Sequence, residues 1–226
     1  MSVTNTSSVT QQHCRVHATN EAHSASDPRI AFFNHHAPTW DDNGGDTAHI
    51  LNRLEALRER LDLKVGQDLL ELGCGTGRLT HWLVDCVRPG RVIAADFSPD
   101  MLAQAQARNA AAEFWLLDIC TPPPATDLFD VVFCFNAFPH FRDKAQALKN
   151  IAQLLKPGGR LVILHLAGSA HLNHFHSHLA YPVCHDLMPS QEEWPALLDK
   201  AGLALRSLTD EPQLFLLECV AAKTCP

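Results

Sequence analysis

The stretch LLELGCGTGRLT, residues 69–80, sets glycines at 73, 75 and 77 directly behind a short apolar run. DLLEL (68–72), ended by those glycines, reads as a strand, and RLTHWLVDCV (78–87) resumes helical spacing until RPG stops it. Glycine at such a turn lets the chain bend sharply and removes the Cβ atoms that would hold a ligand off the backbone. The spacing is G-x-G-x-G, and Arg78 stands where a dinucleotide fingerprint has its third glycine. The loop therefore suits an amino-acid or nucleoside moiety rather than a pyrophosphate.

The alternation continues on both sides of this loop. Upstream, Ile50, Leu51, Leu54, Leu57 and Leu61 recur at helical spacing. Downstream, RVIAAD (91–96), AEFWLLD (112–118), FDVVFCF (129–135) and RLVILHLA (160–167) read as strands. Between them lie helical segments, one opening with Ser98 as N-cap and Pro99 in the first turn, another closing on a Pro-Gly-Gly turn. Strands separated in this way form parallel β-α-β units with helices on both faces. In LALRSLTDEPQLFLLECVAA two strand-like stretches lie too close for a helical crossover, which predicts an antiparallel C-terminal hairpin at the sheet edge. The expected fold class is α/β, a Rossmann-like doubly wound, mostly parallel sheet ending in that hairpin.

Composition narrows the function classes. The 226 residues suit one domain with a sizeable core. Eighteen Lys and Arg against 25 Asp and Glu leave a net charge of −7 with no basic run, which argues against a nucleic-acid partner. No apolar segment approaches the roughly 18 residues of a membrane span. The 8 cysteines form no C-x-x-C pair, so neither a zinc ribbon nor a thioredoxin-type site is indicated; they read as reduced thiols in a cytoplasmic protein. Residues 1–27 are polar, lack the apolar core of a secretory signal, and are expected to be a disordered tail.

Two acids flank the glycine loop in the expected fold. Asp96 ends the second strand, in the zone where an acid accepts both ribose hydroxyls. Asp118 ends the third and suits the exocyclic amine of a purine. A solvated acid or a helix cap explains either one alone; their recurrence at successive strand ends does not reduce to that.

ELGCGTG, VIAADFSPDML, LLDI, FDVVFCFNAFPHF and LKPGGRLVIL resemble, in order and spacing, the motifs of class I S-adenosylmethionine-dependent methyltransferases, over residues 47 to 221. The resemblance implies a seven-stranded sheet with S-adenosyl-L-methionine as cofactor across its carboxyl edge. It implies that Gly73, Gly75 and Gly77 pass the methionine moiety, with Glu71 supporting the loop. Asp96 would hold the ribose, Phe97 would pack on the adenine, Asp118 and the Ile119 amide would read its edge, and Asn136 would line the methionine side. AFFNHHAPTW (31–40) resembles the family's N-terminal aromatic segment, with Phe33 and Trp40 covering the cofactor. The domain organisation expected is a tail (1–27), an N-terminal lid (28–46) and a methyltransferase domain (47–226).

The family pattern leaves HLAGSAHLNHFHSHLAYPVCH (165–185) unexplained, a stretch holding 6 of the 14 histidines. If 170–180 is helical, His171, His174 and His178 share one face and His176 points away. Three readings compete: an acceptor pocket with His171 or His174 as base or hydrogen-bond donor, a divalent metal site, and solvated histidines. His140, past the end of the fourth strand, is a further candidate base. The preferred reading is methyl transfer to a small molecule (thiol, metalloid, or heteroaromatic or hydroxyl acceptor) in a histidine-lined pocket, with catalytic candidates His140, His171 and His174, no metal assigned, no membrane partner, and a monomer or homodimer. The alternatives are a metal-assisted O-methyltransferase, a non-catalytic S-adenosylmethionine-binding module, and a nicotinamide-dependent oxidoreductase, the last disfavoured by Arg78 and the hairpin.

Overall fold

The computed structural model describes residues 14–16, 27–43, 45–123 and 128–221. Its strands are β1 (Cys14–Val16), β2 (Leu69–Leu72), β3 (Val92–Asp96), β4 (Glu113–Leu116), β5 (Phe129–Phe135), β6 (Leu155–His165), β7 (Leu203–Glu211) and β8 (Leu214–Ala221). Its helices are α1 (Pro28–His36), α2 (Trp40–Asn43), α3 (Thr47–Ala56), α4 (Arg58–Leu61), α5 (Thr80–Val87), α6 (Pro99–Ala107), α7 (Lys144–Leu154), α8 (Ser169–Ser177) and α9 (Glu193–Ala201).

The strand order is β1-β4-β3-β2-β5-β6-β8-β7. Pairs from β1 to β6 are parallel, and β8 runs antiparallel to both β6 and β7. Strands β2 to β8 are the mostly parallel sheet with a reversed hairpin that the sequence predicts. To these β1 adds a three-residue edge strand from within the segment expected to be a tail, pairing Cys14 with Phe114. Most of that segment lies outside the described residues.

Every residue of β2 and β3 is buried, as expected of central parallel strands covered on both faces. Alternation sorts them. Leu70, Leu72, Ile93 and Ala95 join Trp115, Leu148, Ile151 and Trp194 under α7 and α9. Leu69, Val92, Val131 and Phe133 join Leu54, Leu61, Leu83 and Val87 under α3, α4 and α5. Burying a side chain of that size stabilises by about 1.5–3 kcal/mol relative to exposure.

Three local expectations shift. The Pro-Gly-Gly segment does not separate helix from strand; it lies inside β6, where the pairing with β5 slips between Phe129 and Val131. SQEEWPALLDKAGL (190–203) resembles the family's penultimate helix with Ser190 as N-cap, but the N-cap of α9 is Glu192, and the Ser190 amide donates to Glu193 Oε2 at 2.7 Å. Asp118 stands two residues beyond the end of β4 rather than on it.

The chain leaves β2 toward β3 and β4 on one side, and β5 and β6 build the other. The order therefore reverses between β2 and β5, and the crevice beyond their carboxyl ends is where a ligand fits this architecture. The glycine loop leaves one wall of that crevice and Asn136 the other. No helix among the described residues is long and apolar enough to cross a membrane.

Candidate functional site

The glycine loop folds back on β3. The amides of Gly73 and Cys74 both donate to the Ala95 carbonyl, at 2.8 and 2.9 Å, and the Gly75 amide donates to Asp96 Oδ2 at 2.8 Å. All three loop glycines have positive φ, and their reasons for being glycine differ. A Cβ on Gly73 would stand 2.3 Å from Ala137 Cβ, and one on Gly77 would stand 2.9 Å from Ala105 Cα of α6. At Gly75 it would meet nothing within 4 Å among the described residues. Gly73 and Gly77 thus let the loop pack against its neighbours, while Gly75 leaves bare backbone facing a cavity of about 210 Å³.

Asp96 accepts from the amides of both Gly75 and Ser98, the latter at 2.9 Å to Oδ1. Burial pushes its carboxyl up to about 6 against the pull of those amides. Glu71, one strand over, is buried, accepts Thr80 Oγ1 at 2.7 Å, and is pushed up to about 8 by burial. Asp118 Oδ1 accepts the Cys120 amide at 2.8 Å and Oδ2 is held by Arg142. Arg142 also reaches Asp27 at 3.6 Å, a cation the sequence does not single out.

The same cavity is lined by Trp40, Glu71, Gly73, Gly75, Asp96, Phe97, Asp118, Ile119 and Asn136. Of the residues expected to bind the cofactor, Gly77 alone is not in its wall; it serves the packing of the loop on α6 instead. Phe33, buried, packs edge-on against Trp40, Phe97 and His140 with ring centroids 5.4, 5.5 and 5.0 Å away. Residues of 28–46 are tied down at several points. Thr76 Oγ1 donates to Asp41 Oδ1 at 2.6 Å, Arg108 pairs with Asp41, and Arg29 Nη1 donates to Asp186 Oδ1 at 2.8 Å.

A second, larger cavity of about 600 Å³ adjoins the first, since Phe33, Trp40, Ile50, Asn136 and His140 line both. Its walls carry five histidines, 36, 49, 140, 165 and 176, among aromatic and aliphatic side chains including Phe32, Leu172 and Phe175. His140 Nδ1 pairs with Asp186 Oδ2 at 2.8 Å. Among the described residues, buried His165 has no partner at either ring nitrogen and buried His176 has none at Nδ1. Burial pushes these two imidazoles down to about 3 and about 4, so both are neutral near pH 7.

Here the expectation for the histidine helix is reversed. His171, His174 and His178 are exposed, and His171 and His174 line neither cavity, so these two are not at the site; His176 is the inward one. The reason is rotational. Helix α8 turns Leu172 and His176, an i, i+4 pair, toward the cavity, and Asn173 fixes that rotation by exchanging hydrogen bonds with the Met188 backbone at 2.7 and 3.1 Å. Among the described residues no group of three His, Cys, Asp or Glu side chains is placed to hold a metal ion. Of the residues central here, Asp186 carries no signal in the linear sequence, and His176 is marked there only as one of the clustered histidines.

Residues 69–159 match the methyltransferase-domain family. Methyltransferase GfsG of Streptomyces halstedii is 32% identical over 168 residues, covering 69% of this chain and 59% of that protein. The chain thus spans less than two thirds of that relative's length. The methyltransferase solved with the Haloferax volcanii Trm112 methyltransferase activator shares the fold, with a TM-score of 0.70 at 22% identity over 84% of this chain and 97% of that one. So does the magnesium protoporphyrin IX methyltransferase of Synechocystis with bound SAH, with a TM-score of 0.63 at 18% identity over 87% and 100% of the two chains. With the loop, the two acids and the reversed hairpin in place, residues 69–159 carry a methyltransferase domain, and the chain resembles the class I S-adenosylmethionine-dependent methyltransferases in fold.

Proposed function

We propose that this protein transfers the methyl group of S-adenosylmethionine to a small-molecule acceptor seated in the larger cavity. The observation that carries this is the shared wall. A crevice built from the glycine loop, Asp96 and Asp118 opens through Phe33, Trp40, Ile50, Asn136 and His140 into an aromatic, histidine-lined space.

The residues present fit the cofactor. Gly75 offers open space where any other residue has a side chain, and Asp96 retains lone pairs beyond those given to the Gly75 and Ser98 amides. Asp96 holds the ribose hydroxyls, Phe97 packs on the adenine, Asp118 and Ile119 meet its edge, and Asn136 borders the methionine end. Residues 28–46 act as a lid, with Trp40 on the cavity side. When bound, the cofactor supplies a methyl group already activated on a sulfonium, so the chain's own task is alignment and exclusion of water. His140 stands at the junction and serves as the group nearest the acceptor. The free thiols at Cys134 and Cys219, buried in the sheet, suit a reducing compartment, which supports a cytoplasmic location.

Calorimetric titration with S-adenosylhomocysteine, followed by a cofactor-consumption screen over phenols, thiols, amines and inorganic selenium or arsenic species, tests the reading. Binding with turnover supports it. Binding without turnover on any acceptor makes the chain a binding module, and no binding removes the cofactor assignment.

A further inference from the structure

His140 Nδ1 lies 2.8 Å from Asp186 Oδ2, and Asp186 Oδ1 accepts Arg29 Nη1 at the same distance. The Asp186 side chain is 3% exposed and the His140 side chain 16%. Asp186 is thus fully engaged, one oxygen on the imidazole and one on a guanidinium. Those two pairs hold its carboxyl below the usual carboxylate range despite burial, so it stays an acceptor at neutral pH. An anionic acceptor at Nδ1 fixes the proton there and leaves the lone pair on Nε2. His140 makes no other side-chain hydrogen bond among the described residues, and its ring stands between the two cavities. Phe33 and His176 clamp the ring edge-on at centroid distances of 5.0 and 5.1 Å, which restricts its rotation.

We infer that His140 and Asp186 form a catalytic base and its positioning residue, and that the acceptor is a hydroxy-aromatic compound methylated on oxygen. This rests on the methyltransferase reading and deepens it. A thiol is already partly ionised near neutral pH and needs no oriented base, whereas a phenol, with a pKa of about 10, does. An aliphatic alcohol lies too far above an imidazole for efficient transfer. The flat apolar walls of the larger cavity, Phe32, Phe33, Trp40 and Phe175, suit a planar ring. In the step, the acceptor O–H proton passes to His140 Nε2, the oxygen forms a bond to the methyl carbon, and the carbon–sulfur bond breaks with its electron pair going to sulfur. Positive charge moves from the sulfonium to the imidazolium, which forms beside the Asp186 carboxylate. The charged or titratable groups around His140 are Asp186, Arg29, Lys144, Asp96, His165 and His176. The two buried imidazoles among them are neutral at working pH and do not oppose that charge.

The test uses the full chain at pH 7.5 with 4-nitrophenol, catechol and 2-naphthol as acceptors and thiophenol as the control, with S-adenosylhomocysteine affinity measured for each variant. His140→Gln is expected to lower kcat on 2-naphthol by about 10²–10⁴-fold. Asp186→Asn is expected to lower it by at least about tenfold with KM little changed. For both variants the loss shrinks on the more acidic 4-nitrophenol, and cofactor affinity stays within about threefold. A merely structural role for Asp186 would depress all acceptors alike, and that result overturns the inference. So does full activity of His140→Gln on 2-naphthol, or methylation of thiophenol alone. If S-adenosylhomocysteine binds and none of the three hydroxy-aromatics is methylated, the substrate class is wrong while the cofactor assignment survives. Failure of the unmodified chain to bind S-adenosylhomocysteine removes the parent reading instead.

Discussion

Asp96 and Gly75 are joined by a 2.8 Å hydrogen bond from the loop amide to the carboxylate, so the acid that faces the cavity also sets the loop's shape. Its other oxygen accepts the Ser98 amide, at the start of α6. Asp96→Asn can accept from only one of these amides and turns an NH2 group against the other. Charge-assisted hydrogen bonds contribute about 1.5–3 kcal/mol, so affinity for S-adenosylhomocysteine is expected to fall by roughly 10- to 100-fold. Isothermal calorimetry reads this directly, and an unchanged affinity would detach Asp96 from the cofactor.

Gly75 and Gly77 are expected to fail in different ways. Alanine at Gly77 drives its Cβ to 2.9 Å from the α6 backbone at a φ of +75°, so Gly77→Ala should destabilise the fold by about 2 kcal/mol or more. At Gly75 the space is open and the φ is +55°, so Gly75→Ala should cost only about 1 kcal/mol in the left-handed region. Its methyl group, however, projects into the cavity. Denaturant unfolding and calorimetry on both variants should separate a stability defect at Gly77 from a binding defect at Gly75. A large stability loss at Gly75 with normal binding would contradict this division.

Glu71 carries a pH signature. Its folded pKa of about 8 lies above the unfolded value of 4.5, so between those values the native state holds a proton that the unfolded state has lost. Stability then falls as pH rises through that window, by about 1.4 kcal/mol per pH unit for one such group. Asp96, pushed up to about 6, acts in the same sense at lower pH, and His165 and His176, pushed down to about 3 and about 4, act in the opposite sense below their unfolded 6.5. The opposing histidine contribution fades above about pH 7, so the Glu71 decline emerges between about pH 7 and 8. Glu71→Gln should flatten the decline in urea midpoint across that interval, and an identical slope in both proteins would refute the assignment.

The exposed histidines provide a negative control. His171→Ala and His174→Ala remove side chains that line neither cavity. Methyl-transfer rates should stay within about twofold, as expected of surface substitutions. A drop comparable to that of His140→Gln would return α8's outer face to the site.

Local chemistry decided much of this protein. Period-2 and period-3.6 patterning, the tight TDEPQ connection and the glycine triplet are short-range features, and they sufficed for the parallel sheet, its reversed hairpin and the cavity formed by Gly75, Asp96 and Asp118. Those residues are brought together by adjacent strands, so their convergence follows from the fold class itself. The acceptor side is different. His140 and Asp186 are 46 positions apart, and which of the helix 169–177 histidines faces inward depends on its rotation, set by Asn173 gripping the Met188 backbone. A histidine-rich segment has no hydrophobic stripe strong enough to dictate that rotation by itself, so packing against the chain around Asp186 decided it, and with it the composition of the second cavity.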